Sequence, residues 1–262
     1  MNHQHNYTDQ TQRGFLFVFE RLVRSHPMVY LLARYLANIL VIFEDDFNGI
    51  KLLGFKEGIN LIDIGASDGV AIKFISKILD VKSIYAFEPN KNYYQKLKNL
   101  NIKNKKIYNY GISNKNQKLE VYVPIYKFLN KKFSLITYTF YNKEHLRKVL
   151  EKNFFFTKNL KIEKRTIYLK KMPTIKEKID LIKIDVNGHE FEIIKSLSKI
   201  IKKSKPVIIT EEMSSIDLIN KFLKKYNYKC CYYDYHNNKI ESYRPKEKNP
   251  FNFYFINKNH AN

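Results

Sequence analysis

Three short stretches carry side chains whose types and spacing suit chemistry. The first is Leu61-Ile-Asp-Ile-Gly-Ala-Ser-Asp-Gly69, an apolar run ending in a glycine loop that holds Asp63, Gly65, Ser67, Asp68 and Gly69. A glycine at such a turn lets the backbone bend sharply and approach a ligand, while the helix that follows offers unpaired N–H groups. The second is Glu88, at the end of the next apolar run and about twenty residues on, the spacing at which a carboxylate accepts hydrogen bonds from a ribose diol. The third is Asp185-Val-Asn-Gly-His-Glu190, again at the end of an apolar run. Asp185 and His189 are the candidate catalytic residues. A carboxylate at a buried strand end needs a partner or a task, and a helix start disfavours imidazolium, leaving His189 neutral and able to act as a base. The competing readings are an Asn187 cap, a solvated His189, and Glu190 and Glu192 complementing the helix dipole.

Two cofactors suit a glycine loop followed by a distant carboxylate: a dinucleotide and S-adenosylmethionine. Charge separates them. A pyrophosphate needs a helix start without negative charge and usually the GxGxxG fingerprint, but here Ser67 replaces the second glycine and Asp68 would repel phosphate. The ammonium of S-adenosylmethionine can instead pair with Asp63 or Asp68. No metal site is predicted, because Asp185 and His189 alone are too few ligands.

These motifs resemble the FkbM family of methyltransferases. The likeness lies in Asp63-Ile-Gly-Ala-Ser-Asp-Gly69, Tyr85-Ala-Phe-Glu-Pro89, Gly111-Ile-Ser-Asn before Val121-Tyr-Val-Pro124, Lys183-Ile-Asp-Val-Asn-Gly-His-Glu190, Pro206-Val-Ile-Ile and the closing Asn252-Phe-Tyr-Phe-Ile256. It covers about residues 58 to 257, and Asn187 stands where the family usually has Glu. The resemblance implies a Rossmann-like class I methyltransferase fold and methyl transfer from S-adenosylmethionine to an oxygen, often a sugar hydroxyl of a glycan or related metabolite. It also implies that Gly111 and Ile112 join the cofactor site.

The elements that must position these residues read as an α/β alternation. Asn60–Ile64 and Ser83–Phe87 are buried-strand patterns, followed by helical periodicity over Val70–Leu79 and Asn90–Leu100, which implies a parallel sheet. Lys106–Tyr110 and Lys118–Val123 continue as strands. The alternation resumes with Asp180–Asp185, a helix Glu190–Lys202, a strand Pro206–Glu211 and a helix Ser214–Tyr226. Tyr228–Tyr233 and Phe251–Ile256 close the sheet as an antiparallel hairpin, with Asn237-Asn238 in a turn. Residues 1–57 form an N-terminal helical extension, with helices at Phe15–Ser25 and Pro27–Phe43, and residues 58–257 the methyltransferase domain. Within it, residues 124–172 break the alternation and read as an insertion facing the acceptor. There Tyr126, Phe128, Tyr138 and Tyr141 are placed to stack on sugars, and Lys127, Lys131 and Lys132 to meet acidic groups.

The 262 residues suffice for one such domain with an extension. Lys and Arg number 47 against 25 Asp and Glu, a formal charge of +22, which attracts polyanions but is spread over helix ends and turns. The alternatives are therefore an RNA ribose methyltransferase, argued from charge, and a non-catalytic scaffold with the same fold. Base N-methylation is disfavoured because no Asn/Asp-Pro-Pro-aromatic run follows Asp185. Adjacent Cys230 and Cys231 cannot form an ordinary disulfide and read as strand residues facing opposite ways. With no secretory pattern near the N-terminus, a cytoplasmic setting is expected. Met28–Phe43, interrupted by Arg34 and Asn38, is too short to span a membrane. Peripheral membrane contact through residues 15–43 is the remaining membrane reading.

Overall fold

The computed structural model describes residues 26–154, 159–211, 215–245 and 250–260; the helix expected at Phe15–Ser25 lies outside them. The chain opens with helix α1 (Pro27–Leu40), started by Pro27 and by His26, whose Nδ1 accepts the Met28 N–H, and ended by a left-handed Val41. A 3-10 helix, Asp45–Leu53, follows and buries Phe47, Ile50 and Leu53. Next come β1 (Ile59–Ile64), α2 (Val70–Ile78), β2 (Val81–Phe87), α3 (Lys91–Lys98) and β3 (Lys105–Tyr108). After a second sheet, the alternation resumes with β8 (Leu181–Ile184), α5 (Glu190–Ser196), α6 (Ser198–Ser204), β9 (Val207–Glu211) and α7 (Ile216–Lys224).

Strands β10 (Tyr228–Asp234), β11 (Lys239–Ser242) and β12 (Asn252–Asn257) complete an eight-stranded sheet in the order β11-β10-β12-β9-β8-β1-β2-β3. The five strands from β9 to β3 run parallel, and β12, β10 and β11 are antiparallel. This is the Rossmann-like class I methyltransferase fold, with a mostly parallel sheet and an N-terminal helix. The tight partner of β10 is β11, a strand absent from the sequence reading, while β12 lies between β9 and β10. Parallel strands buried on both faces read as continuous apolar runs, and β8 and most of β1 and β9 are such runs. One core layer joins Ile62, Ile64, Ile182 and Cys230 to α5–α7; the other joins Leu61, Ile72, Leu181 and Cys231 to α2 and the 3-10 helix. Cys230 and Cys231 thus point to opposite faces, as their alternation predicts.

The second sheet has the order β4-β7-β5-β6, from β4 (Gly111–Ile112), β5 (Gln117–Phe128), β6 (Lys131–Ser134) and β7 (Leu160–Lys170). Strand β5 continues past Val123 through Pro124 to Phe128 and pairs with β7 over ten residues. Helix α4 (Lys143–Asn153) packs Leu146 and Leu150 with Leu135, Tyr138 and Phe154. The helix expected over Glu190–Lys202 is two helices meeting at Leu197.

Candidate active site

The strand order reverses between β1 and β8, so the ends of these neighbours, Asp63–Gly65 and Asp185, border the crevice where ligands of open α/β sheets bind. Asp63 is fully buried. Lys183, itself buried on β8, stands 3.4 Å from Asp63 and 3.3 Å from Asp185, joining the two candidate carboxylates. Burial raises the Asp63 carboxyl and Lys183 opposes that rise. Burial would lower the Lys183 ammonium, but Asp63 and Asp185 hold it above its ordinary value. In the sequence Lys183 is only part of a motif, since its alignment with Asp63 needs the β1–β8 register, in which the two residues are partners.

The glycine loop turns sharply at Gly65, φ 81°, as expected, and Ser67 at φ 50° and Gly69 at φ 80° are left-handed too. For Gly65 the fold adds a reason of its own, because a Cβ there would stand 1.9 Å from the Asp185 carbonyl oxygen. The glycine lets the two strand ends meet. Glu88 is buried and accepts the Ser67 N–H at 2.8 Å and the Asn90 N–H at 2.7 Å, one on each oxygen. Each oxygen keeps a lone pair for a ribose hydroxyl. Burial pushes Glu88 up to about 7 against those two backbone bonds.

Asp68 differs most from expectation. Arg34 of α1 grips it with two hydrogen bonds, Nε to Oδ2 at 2.9 Å and Nη2 to Oδ1 at 2.8 Å. Burial alone would raise Asp68, but this guanidinium holds its carboxyl below the ordinary value. Its charge is already paired, which corrects the expectation that Asp68 is free to meet an ammonium. Gly111 and Ile112 form β4 against Leu169 and Lys170, and a Cβ on Gly111 would lie 3.9 Å from Pro89, beside Glu88. Asn109, absent from the sequence reading, donates to the carbonyls of Glu88 and Pro89.

At the end of β8, Asn187 and Gly188 are left-handed at φ 55° and 111°, a conformation Asn tolerates better than Glu. Glu190 does more than complement a dipole: its carboxylate accepts N–H bonds from Val186 and Gly188 and so shapes the loop. Burial pushes it up to about 7 against those bonds. His189 is the N-cap residue of α5 and packs against Tyr141, ring centroids 4.8 Å apart. Burial lowers its pKa and Glu192 partly opposes this, so the imidazole is neutral at pH 7. Tyr141 brings the second sheet's connection onto this loop. Tyr126 and Tyr138, however, are only 3% and 9% exposed, so they pack the core and offer no face to an acceptor.

Glu44 and Glu211 complete the surroundings and were not among the predicted site residues. Burial, Asp46 and Asp185 push Glu44 up to about 8, and burial with Asp185 and Glu44 raises Glu211 well above its ordinary value. Their charges sense one another across more than a hundred residues of sequence, which no local spacing reveals. The crevice is therefore acidic inside a chain of +22, with Lys183 the counter-charge.

A family model, the methyltransferase FkbM domain, matches residues 63–230. The chain belongs to the FkbM methyltransferase family. Its cofactor is S-adenosylmethionine, and the residues present fit that molecule: a sulfonium and an ammonium suit an acidic crevice, a pyrophosphate does not. The Ser67 Oγ is moreover buried in the loop without a hydrogen-bond partner.

No curated protein matches the chain. Solved structures do. The FkbM methyltransferase of Methylobacillus flagellatus KT is 14% identical, over 76% of this chain and 44% of that one, with a TM-score of 0.47. This FkbM domain thus spans less than half of that protein's length. A precorrin-6y C5,15-methyltransferase of Geobacter metallireducens GS-15 is 14% identical, covering 82% and 88% of the two chains, at a TM-score of 0.37. A ribosomal protein L11 methylase of Lactobacillus delbrueckii subsp. bulgaricus is 11% identical, covering 81% and 76%, at 0.40.

Proposed function

We propose that this FkbM domain methylates a hydroxyl oxygen, in the first instance a sugar hydroxyl of a glycan or related small molecule. The observation that carries the reading is the pairing of a half-exposed Asp185, fixed by Lys183, with a neutral His189 on the same loop. S-adenosylmethionine supplies an already activated methyl group, so the protein's task is alignment, exclusion of water and care of one proton. Asp63, Gly65, Ser67, Asp68, Gly69, Glu88, Gly111 and Ile112 are assigned to hold the cofactor, with Glu88 taking the ribose diol and Asp68 shaping the loop through Arg34. Asp185 orients the acceptor by accepting a hydrogen bond from a neighbouring hydroxyl, which leaves the reacting O–H directed at His189. His189 takes that proton as the new O–C bond forms and the S–C bond breaks. Its Nε2 is enclosed without a hydrogen-bond partner. Tyr141, exposed and packed beside His189, offers a ring face for a sugar. Among the described residues no group of three or more His, Cys, Asp or Glu side chains is arranged to hold a metal ion, and the proposed step uses none.

RNA ribose methylation fits less well, because a phosphate entering beside Asp185, Glu44 and Glu211 would meet carboxylates. We place the reaction in the cytoplasm, with the N-terminal extension in peripheral contact with a membrane. Incubation with labelled S-adenosylmethionine and separate glycan, small-metabolite and RNA fractions tests the acceptor class. Label in a hydroxylated glycan or metabolite is expected; label confined to RNA would overturn it, and absence of cofactor binding would indicate a scaffold. With an acceptor in hand, His189→Ala is expected to lower turnover about 10²–10⁴-fold with cofactor affinity nearly unchanged. Full turnover with an unchanged pH profile would remove His189 from the reaction.

A further inference from the structure

Helix α1 is amphipathic in the reverse of the usual sense. Its inner side carries the polar groups. Arg34 holds Asp68, Asn38 donates to the Asp68 carbonyl at 3.4 Å and accepts from Lys73, and the Tyr30 hydroxyl bonds Thr137. Tyr30 also packs edge-on against Tyr138 and Phe154. The outer side is a continuous stripe of Val29, Leu32, Tyr35, Leu36, Ile39 and Leu40, at helical spacing, each 43–63% exposed and none charged. A surface helix of a soluble domain normally turns such a stripe to the core, and an exposed apolar patch of this kind marks an interaction site.

The helix does not cross a bilayer. Within Pro27–Leu53 an 18-residue window reaches the mean hydropathy of a span, 1.4, but α1 stops at Leu40, about 21 Å long at 1.5 Å per residue, against a hydrocarbon core of about 30 Å. The 3-10 helix beyond it is anchored in the protein core through Phe47, Ile50 and Leu53. Charge chooses between the remaining occupants. Two copies of a chain with a formal charge of +22 repel each other, whereas the same charge is drawn to an anionic lipid surface. The sequence just before the helix adds Arg13, Arg21 and Arg24 against Glu20.

We propose that the Val29–Leu40 stripe of α1 is a docking surface for an anionic bilayer, lying in the plane of the headgroup–acyl boundary while its inner side stays on the cofactor loop. This names the face and the lipid charge for the peripheral contact proposed above, and does not depend on the methyl acceptor. The test is co-sedimentation of the full chain with vesicles of phosphatidylcholine alone or with phosphatidylglycerol, for wild type and a Leu32→Gln, Leu36→Gln, Ile39→Gln variant. Gln is a good helix former and these positions are exposed, and an unchanged Tm and S-adenosylmethionine affinity would confirm that the variant is folded. Wild type is expected to partition onto the anionic vesicles at least tenfold more than onto neutral ones, and the variant to lose at least tenfold of that binding. Equal binding by the variant would overturn the proposal in favour of charge alone. No vesicle binding by wild type would overturn it too, and a concentration-dependent dimer abolished by the variant would then assign the stripe to a second copy.

Discussion

A carboxyl held like Glu88, pushed by burial up to about 7, is partly protonated at neutral pH, so its capacity to accept two ribose hydrogen bonds changes with pH. The ionised form accepts from both hydroxyls; the protonated form must spend one oxygen as a donor. Affinity for S-adenosylmethionine is therefore expected to rise as pH increases from about 6 to about 8, and calorimetry across that range measures it. Glu88→Gln should bind about tenfold or more weakly, since a hydrogen bond to a charged group contributes about 1.5–3 kcal/mol, and with a flatter pH dependence. Normal binding by a folded Glu88→Gln protein would remove the ribose assignment. Asp68 differs from Glu88 because Arg34 has already claimed its charge. A buried carboxylate beside the crevice can thus hold a loop in place or wait for a ligand, depending on whether a cation of the protein already pairs with it.

Helix α1 acts as a strap across two parts of the molecule. Tyr30 lies on the Tyr138–Phe154 cluster of the second sheet, and Arg34 and Asn38 lie on the cofactor loop and α2, so one helix ties both to the domain. The Arg34–Asp68 pair is the strongest polar tie, with Asp68 buried and Arg34 28% exposed. Removing one partner of a fully buried pair costs about 3–5 kcal/mol; the partial exposure of Arg34 lowers the expectation to about 1–3 kcal/mol for Arg34→Ala or Asp68→Ala. The double variant should lose clearly less than the sum of the two, because the second deletion removes a charge already left alone. Urea denaturation of the four proteins gives the cycle. Additive losses would mean that α1 is held by its apolar contacts with the second sheet and not by this pair.

The folded chain keeps three carboxyls close to protonation at neutral pH, Glu88 and Glu190 at about 7 and Glu44 at about 8, and burial raises Asp63 and Glu211 from their ordinary values as well. In the unfolded chain these groups release their protons near pH 4. A carboxyl whose pKa is higher when folded stabilises the fold fully below its unfolded pKa, and that contribution is lost as pH rises through the folded pKa. The protein without cofactor is accordingly expected to melt lower at pH 8.5 than at pH 6, by about 2–4 °C for each kcal/mol lost. Asp68, lowered in the fold, acts in the opposite sense but only in acid, outside this window. A cationic cofactor reverses the trend, because it favours the ionised crevice. The Tm gain from saturating S-adenosylmethionine should be larger at pH 8.5 than at pH 6, and calorimetric scans with and without it at both values measure the difference. A gain that shrinks with pH would contradict an acidic cofactor crevice.

The architecture was legible in the chain because parallel strands buried on both faces leave continuous apolar runs, and because a cofactor loop needs glycine and a carboxylate at spacings that survive in one dimension. Leu61–Gly69, Ser83–Glu88 and Asp180–Glu190 carried the family resemblance for that reason. The second sheet was harder to read, since β5 and β7 alternate apolar and charged residues and meet across a long connection. Periodicity tells which residues share a face; it does not tell which face meets the body. The six-residue stripe of α1 has the same pattern whether it is turned inward or outward, and only the Arg34–Asp68 contact decides that it points out. Likewise Tyr126 and Tyr138 have the composition of an acceptor surface but are buried, and the sequence does not show that Gly65 also makes room for the Asp185 carbonyl. Lys183, Glu44 and Glu211 reach the crevice through strand register and chain return, and electrostatic neighbours brought together in that way leave no trace in local sequence.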